Sequence, residues 1–273
     1  MNLIPSEWCR VPVQNPATSD GEFSVPPADN FFLSKPPGHL SDGGPRYVET
    51  PADPYAPDAR SIAEPWNTVT AFAFVVIVAY WAVKLRGRYR AFPFVTACLP
   101  VLLVGGVGGT MYHACRTQFA YFLADVLPIS LLALAGAIYL IVRLGRGSGW
   151  LRIVASIAGV IVAYLFLNGV VFRGIFRETL ATRPNMAVNL SYASLAAVIL
   201  LPLLIVLARM RFRHGKWILA ALFTFGHAWF FRLIDGANVV DWSMGTHWLW
   251  HLFGAATTAF LFEYFYRIER ETI

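Results

Sequence analysis

Apolar residues dominate the chain from residue 65 onward and form seven long runs separated by short polar loops. Each run has about the 20 residues that an α-helix needs to cross the hydrocarbon core of a bilayer. A backbone in lipid must satisfy its own hydrogen bonds, which runs of this length do as helices. The pattern therefore predicts an all-α fold, a seven-transmembrane helix bundle. Its expected spans are 65–85, 92–113, 119–142, 150–172, 186–208, 217–235 and 246–266.

Residues 1–60 differ in composition from the rest of the chain. Twelve of the 17 prolines lie at or before Pro65, mixed with Gly, Ser, Asp and Asn. Such a segment buries too little apolar surface to offset the entropy of ordering it. We therefore predict a proline-rich extramembrane tail over residues 1–60, mostly extended or disordered, and a membrane domain over residues 61–273.

The basic residues alternate between the loops, which predicts an orientation in the membrane. One set of loops and the carboxyl-terminal end carry Lys84, Arg86, Arg88, Arg90, Arg143, Arg146, Arg152, Arg209, Arg211, Arg213, Lys216, Arg267 and Arg270. The alternate loops carry Arg116, Arg173, Arg177 and Arg183 together with Asp235 and Asp241. The positive-inside rule then places the amino terminus outside and the carboxyl terminus in the cytoplasm.

The overall composition excludes several classes of protein. The chain is 57% hydrophobic and 14% charged, which is typical of a polytopic membrane protein. The net charge of +6 lies mainly in the loops, so we assign it to topology and lipid head groups and expect no nucleic-acid partner. Three cysteines, Cys9, Cys98 and Cys115, are too few and too scattered for a disulfide framework or a cysteine-rich zinc site.

Histidines provide the first indication of chemistry. His247 and His251 are four residues apart at the start of the last helix, so they lie on one helix face. Imidazoles at this spacing suit a zinc ion if a third ligand comes from elsewhere, although the pair could also hydrogen-bond neighbouring helices. His113 closes the second helix and, in the predicted topology, reaches the same face of the membrane. Three neutral imidazoles leave a fourth zinc position open, which is the catalytic pattern.

Asp125 is the candidate general acid and base. It lies a few residues into the third helix, below the predicted outer face, where it could take a proton from metal-bound water. The alternative is a buried carboxylate paired with Arg232. Arg232 could also pair with Asp235, three residues further along the same helix, and we favour a structural ion pair between these two.

Two other histidines are weaker candidates. His227 has no polar companion four residues away, so we expect it to hydrogen-bond within the bundle. His214 lies in a basic loop and is expected to be solvated.

At these residues the chain resembles the alkaline ceramidase family, which belongs to the CREST superfamily of seven-helix membrane hydrolases; it is most similar to bacterial-type members. The resemblance covers about residues 61–273. It rests on Ala-Glu-Pro-Trp-Asn at 63–67, Tyr-His at 112–113, Ala-Asp-Val-Leu-Pro-Ile at 124–129, and Phe-Phe-Arg-Leu-Ile-Asp at 230–235 leading into the paired histidines at 245–251.

The resemblance implies an active site and a reaction. It implies that His113, His247 and His251 bind zinc and that Asp125 lies beside the metal-bound water. The implied reaction is hydrolysis of the ceramide amide to a sphingoid base and a fatty acid, so the expected partner is a membrane lipid substrate.

Some members of the family hold calcium with acidic residues just before the first helix. Glu64 matches that pattern directly, and Asp53 and Asp58 match it if a spacer is shortened. The resemblance thus implies a possible calcium site at Glu64, Asp53 and Asp58.

The chain departs from the family at one position near the expected site. The family has a serine four residues before the histidine of the second helix, whereas this chain has Gly109. Thr110 is the expected substitute for that hydroxyl.

Two interpretations other than a hydrolase follow. The missing serine leaves open a lipid receptor or sensor with weak or no hydrolase activity. A transporter is disfavoured because the sequence shows no inverted repeats and the histidines lie at the outer face.

Arginine outnumbers lysine 19 to 3, which favours a bacterial inner membrane over the ER or Golgi membrane.

Overall fold

The computed structural model describes most of the membrane domain and a short part of the amino-terminal tail. The described residues are 9, 42–52, 61–147, 149–172, 174, 184–237 and 239–271. Within these ranges all regular secondary structure is helical, as the sequence predicted. The predicted calcium-binding residues Asp53 and Asp58 lie outside the described residues.

Seven long helices follow one another along the described chain, with a short 3-10 helix, Tyr89–Ala91, between the first two. The bounds of the long helices agree with the seven predicted runs to within a few residues. They are α1 (Pro65–Lys84, with an irregular turn at Phe72), α2 (Pro93–Cys115), α3 (Phe119–Leu144), α4 (Trp150–Phe166, continued by π-helical Leu167–Phe172), α5 (Pro184–Arg209), α6 (Gly215–Gly236) and α7 (His247–Ile268).

Local sequence explains several of these bounds. Pro65 and Pro93 begin α1 and α2, where proline needs no amide hydrogen and its fixed φ suits a first helical turn. The carboxylate of Glu49 accepts hydrogen bonds from the first free amides of α1, on Trp66 and Asn67, at 2.8 and 3.0 Å. α2 ends at Cys115 and is capped by Arg116, which adopts the left-handed conformation (φ 53°).

Six of the helices, α1 to α6, are long and apolar enough to cross a membrane. α4 is the clearest case, because none of its residues 150–166 is buried and large apolar side chains such as Trp150, Leu151 and Val162 are exposed. These features show a multi-pass membrane protein. α7 has 22 residues but is not among these six, so its assignment as the seventh span stays a prediction.

The bundle brings the functional segments to one end. α7 packs against α6, α3 packs against α2, and α1 lies against both α2 and α7. A hydrophobic core that includes Trp81, Leu85, Phe92, Leu140 and Ile268 holds the opposite end together. The start of α1, the end of α2 and the start of α7 therefore meet at one end of the bundle, which we call the histidine end.

The described part of the tail, residues 42–52, packs onto the histidine end. Asp42, Gly44, Pro45 and Glu49 are buried there. These residues were expected to form part of a separate extramembrane tail, and in the structure they are continuous with the bundle. We call residues 42–51 the cover segment.

Candidate metal centre

Three buried histidines converge at the histidine end. The ring centroids of His113 and His251 are 4.7 Å apart, those of His247 and His251 are 4.7 Å apart, and those of His113 and His247 are 5.4 Å apart. Each residue offers a nitrogen, and the three nitrogens lie within 4.8 Å of one another. The predicted convergence of three imidazoles from two helices is confirmed, and the cluster could hold a metal ion.

The hydrogen bonds of these rings leave nitrogens free for a metal. Nδ1 of His113 contacts Oε2 of Glu64 at 2.5 Å. Nδ1 of His251 contacts the hydroxyl of Thr70 at 3.1 Å. Nε2 of His113 and Nδ1 of His247 are buried without a hydrogen-bond partner. Buried polar atoms are almost always satisfied, so two unpartnered imidazole nitrogens in one cluster fit a site that binds a metal.

Glu64 orients His113. Its Oε2 contacts Nδ1 of His113 and accepts a hydrogen bond from the side-chain amide (Nδ2) of Asn67 at 3.0 Å. Its Oε1 accepts hydrogen bonds from the hydroxyl of Thr50 at 2.5 Å and from Arg116. Burial alone would raise the pKa of Glu64, but Arg116 and His113 lower it to about 2, so the carboxylate is ionised at neutral pH.

These contacts bear on the calcium site that the resemblance implied at Glu64. Both oxygens of Glu64 already accept protein donors, and Arg116 occupies the position beside them. Calcium prefers carboxylate and carbonyl oxygens that are free to coordinate it, so the described surroundings of Glu64 do not fit a calcium ion. Asp53 and Asp58 lie outside the described residues, so the calcium site as a whole stays a prediction.

Tyr47 of the cover segment lies directly over the cluster. Its ring stacks on His247 with 3.6 Å between centroids and an interplanar angle of 18°. Burial raises the pKa of Tyr47 to about 12, so the stacked ring is the neutral phenol. The contact shields one face of His247.

Asp235 fixes the start of α7. Its Oδ1 accepts hydrogen bonds from the amides of Thr246 and His247 at 2.6 and 3.1 Å, and its Oδ2 accepts one from the amide of Val48 at 3.4 Å. The positive end of the helix dipole also stabilises a carboxylate at this position. Asp235 thus holds the helix that carries two of the three histidines.

The ion pair that we favoured between Arg232 and Asp235 is absent among the described residues. Arg232 instead donates a hydrogen bond to Oδ1 of Asn189 at 2.7 Å. Its guanidinium lies over the rings of Tyr192 and Trp250, at 5.2 and 5.1 Å. The prediction was wrong because Asp235 is needed at the start of α7, where amide hydrogens of the loop and helix compete for its oxygens.

Asp125 lines a long cavity that begins at the cluster. The cavity has a volume of about 480 Å³, and its wall includes Asp125 and His251 at one end and Phe265 at the other. His251 and Phe265 are 14 positions apart on α7, which corresponds to about 21 Å along the helix. Most of the wall is apolar, and within the described part of the chain Asp125 forms no ion pair.

Small residues of α2 make room for Asp125. A Cβ at Gly108 would lie 2.5 Å from the Cβ of Ala124, and a Cβ at Gly109 would lie 2.6 Å from Oδ1 of Asp125. Glycine therefore lets α3 approach α2 at this point. The sequence flagged Gly109 as a lost serine, and the structure shows that this position borders Asp125.

Thr110 points elsewhere. Its hydroxyl donates a hydrogen bond to the carbonyl of Gly106 at 2.7 Å, and the cavity wall contains Gly109 and not Thr110 among the described residues. The role predicted for this hydroxyl stays a prediction, and the observed contact directs it to the α2 backbone.

His227 and His214 also have partners away from the cluster. Nδ1 of His227 contacts the carbonyl of Phe223 at 2.8 Å, which is a bond within α6. Nε2 of His214 contacts a carboxylate oxygen of Glu271 at 2.9 Å. Neither residue belongs to the metal centre.

Sequence reasoning missed two features of this end. The first is the disulfide between Cys9 and Cys115, whose Cα atoms are 4.9 Å apart and whose sequence separation of 106 gave no local signal. The second is Arg116, which was counted as a loop charge and is fully buried between Asp42 and Glu64. The position of Arg116 three residues after His113 was the available signal.

The chain was compared with models of protein families, with curated proteins and with solved structures. No family model, curated protein or solved structure matches it.

Proposed function

We propose that the chain is an integral-membrane, metal-dependent amidase that hydrolyses a long-chain lipid amide, with ceramide as the substrate that the sequence resemblance implies. One observation carries the proposal. Three imidazoles, two of them with a buried unpartnered nitrogen, meet at one end of a long apolar cavity whose wall also holds Asp125. A metal site, an acid–base group and space for a hydrocarbon chain are thus adjacent.

The balance of charge at the histidine end supports a bound cation. The acidic and basic groups gathered there are Asp42, Glu49, Glu64, Asp125 and Asp235 against Arg116 and Arg232. Buried carboxylates are stable only when their charge is compensated. Five carboxylates against two guanidinium groups give a formal excess of negative charge. Backbone amides compensate Glu49 and Asp235 in part, and a divalent ion would reduce the remainder.

The residues of the chain would divide the work as follows. His113, His247 and His251 would hold a zinc ion, which when bound acts as a Lewis acid and lowers the pKa of water. Asp125 would accept the proton of the attacking water and return it to the leaving amine. The apolar wall would bind the hydrocarbon chain and keep bulk water away from Asp125.

The disulfide supports the predicted orientation. Cys9 and Cys115 lie at the histidine end, and disulfides persist in oxidising compartments outside the cytoplasm. The positive-inside rule puts the same end outside. With α7 as a seventh span, the scissile amide would lie at the outer interface and the substrate would enter from the bilayer.

Hydrolysis by the purified protein tests the proposal. We expect detergent-solubilised protein to release fatty acid from a fluorescent long-chain ceramide, to lose this activity after chelation and to regain it with Zn²⁺. Protein stripped of metal and fully active would contradict the mechanism, as would metal-loaded protein that releases no product.

A lipid receptor or sensor is the second candidate, and the surroundings of Asp125 favour it in one respect. Gly109 provides no hydroxyl beside Asp125, and the hydroxyl of Thr110 is bonded to the α2 backbone. A receptor would bind labelled ceramide without releasing product, at an affinity that chelation leaves unchanged.

A further inference from the structure

Arg116 joins the cover segment to the metal centre, and its backbone is held in an uncommon conformation. It directly follows the last residue of α2, in the left-handed region at φ 53°, and its backbone amide donates a hydrogen bond to the carbonyl of Tyr112 at 2.9 Å. Non-glycine residues adopt this conformation where the surroundings impose it, often at functional sites. Here it turns the side chain back towards the histidine end.

Four oxygen groups surround the guanidinium of Arg116. Three come from the cover segment: Oδ2 of Asp42 at 2.8 Å from Nε, the carbonyl of Pro45 at 2.8 Å from Nη2, and the hydroxyl of Thr50 at 3.1 Å from Nη1. The fourth is Oε1 of Glu64, which accepts a hydrogen bond from Nη1. The side chains of Arg116, Glu64 and Asp42 are all fully buried.

The same carboxylate extends the network to a metal ligand. While Oε1 of Glu64 is held by Arg116, Oε2 contacts Nδ1 of His113 at 2.5 Å. A carboxylate that orients a ligating histidine fixes the ring and its tautomer and raises metal affinity. The position of Glu64 depends in turn on the buried cation beside it.

The cover segment also touches the second ligand-bearing helix. Tyr47 stacks on His247, and the amide of Val48 donates to Asp235, which holds the start of α7. The hydroxyl oxygen of Tyr112 would lie 1.8 Å from a Cβ at Gly44, so the segment is fitted closely to α2. The contacts that hold the cover segment on the bundle therefore also orient His113 and His247.

We propose that Arg116 is a positioning residue of the metal centre: it acts as an internal cation that fastens the cover segment and holds Glu64 against His113. This inference rests on the proposed metal centre. It assigns to the amino-terminal segment a part in metal binding, because the three oxygens that the segment gives to Arg116 keep the guanidinium beside Glu64.

Binding of Co²⁺ to the purified full chain, followed by its visible absorption, tests the role. Arg116→Gly keeps the left-handed backbone, since glycine adopts positive φ freely. We expect this variant to bind Co²⁺ at least about tenfold more weakly than wild type, in the range found for lost outer-shell partners. Added guanidinium ion should restore the affinity of Arg116→Gly, which a loss of fold would not allow.

A matched control and a second variant keep the test decisive. Arg46→Gln removes the exposed arginine of the same segment, whose side chain donates to the carbonyl of Ala52 at 2.7 Å and, among the described residues, contacts no residue of the metal centre. This variant should bind Co²⁺ as wild type does. Asp42→Asn serves if Arg116→Gly does not fold. This variant leaves the helices unchanged and weakens the hydrogen bond from Nε of Arg116 to residue 42, so the affinity for Co²⁺ should fall severalfold.

The outcomes separate this inference from the proposed function. Wild-type affinity in folded Arg116→Gly and in Asp42→Asn would overturn the role of Arg116 and leave the metal centre standing. Wild-type protein that binds neither Co²⁺ nor Zn²⁺ would contradict the metal centre itself.

Discussion

Oε2 of Glu64 lies 2.5 Å from Nδ1 of His113, and neither side chain is exposed to solvent. This contact fixes which nitrogen of His113 faces the cluster, because the other nitrogen, Nε2, is left without a protein partner. In metal sites, a carboxylate that bonds one nitrogen of an imidazole in this way orients the other nitrogen towards the metal.

Replacing Glu64 should weaken metal binding. In Glu64→Gln the neutral amide no longer holds the imidazole of His113 as a carboxylate does, and we expect metal affinity to fall about 10- to 100-fold. The change also deprives buried Arg116 of a charge partner, which should lower the free energy of unfolding by about 3–5 kcal/mol. Chelator competition and thermal unfolding measure the two effects. Glu263→Gln, which removes a carboxylate paired with Lys84 at the opposite end, should leave metal affinity unchanged.

Replacing a cluster histidine should remove the metal altogether. His251→Ala and His113→Ala each leave two imidazoles, and we expect metal content measured by elemental analysis to fall to background together with hydrolysis. His227→Ala is the matched control, because its ring bonds the α6 backbone and lies outside the cluster. Full metal content in His251→Ala would refute the assignment of this residue as a ligand.

Asp125 should be needed for turnover and not for metal binding. Asp125→Asn preserves the shape of the side chain but cannot accept a proton, so we expect the rate of product release to fall about 10²- to 10⁴-fold at unchanged metal content. Asp241→Asn is the matched control, because Asp241 is exposed in the loop before α7, and this variant should release product at the wild-type rate. A variant at position 125 with normal turnover would assign the proton transfer to another group.

The cavity should set which chain lengths are accepted. Ala133 lies on the cavity wall eight positions beyond Asp125 on α3, about 12 Å deeper along the helix. Ala133→Trp should obstruct the deep part of the cavity and reduce hydrolysis of long-chain amides while short-chain amides are still cleaved. Ala155→Phe on the exposed face of α4 should not change the preference. An unchanged chain-length profile in Ala133→Trp would mean that the chain binds elsewhere.

The disulfide makes the orientation testable in intact cells. After reduction, a membrane-impermeant maleimide should label Cys9 from outside, whereas buried Cys98 should stay unlabelled. Cys9→Ser should reduce the label, and it should lower the free energy of unfolding by about 2–5 kcal/mol because a long loop is no longer closed. Labelling that requires cell lysis would place the histidine end in the cytoplasm.

The sequence by itself determined the helices and which three histidines come together. Runs of about 20 apolar residues have one stable form in lipid, so the bounds of α1 to α7 followed from hydropathy alone. The four-residue spacing of His247 and His251 fixed their common face, and the alternation of loop charge brought the end of α2 to the same side. Convergence with His113 was therefore predictable.

Only the tertiary structure decided what surrounds the three histidines. Arg116 appeared to be a loop charge, and Asp235 appeared to be a partner for Arg232. The cover segment appeared to be part of a mostly extended or disordered extramembrane tail. Which buried carboxylate meets which donor depends on contacts between segments up to 187 residues apart, as between Val48 and Asp235. Hydropathy and spacing describe one helix at a time, so they do not encode these choices.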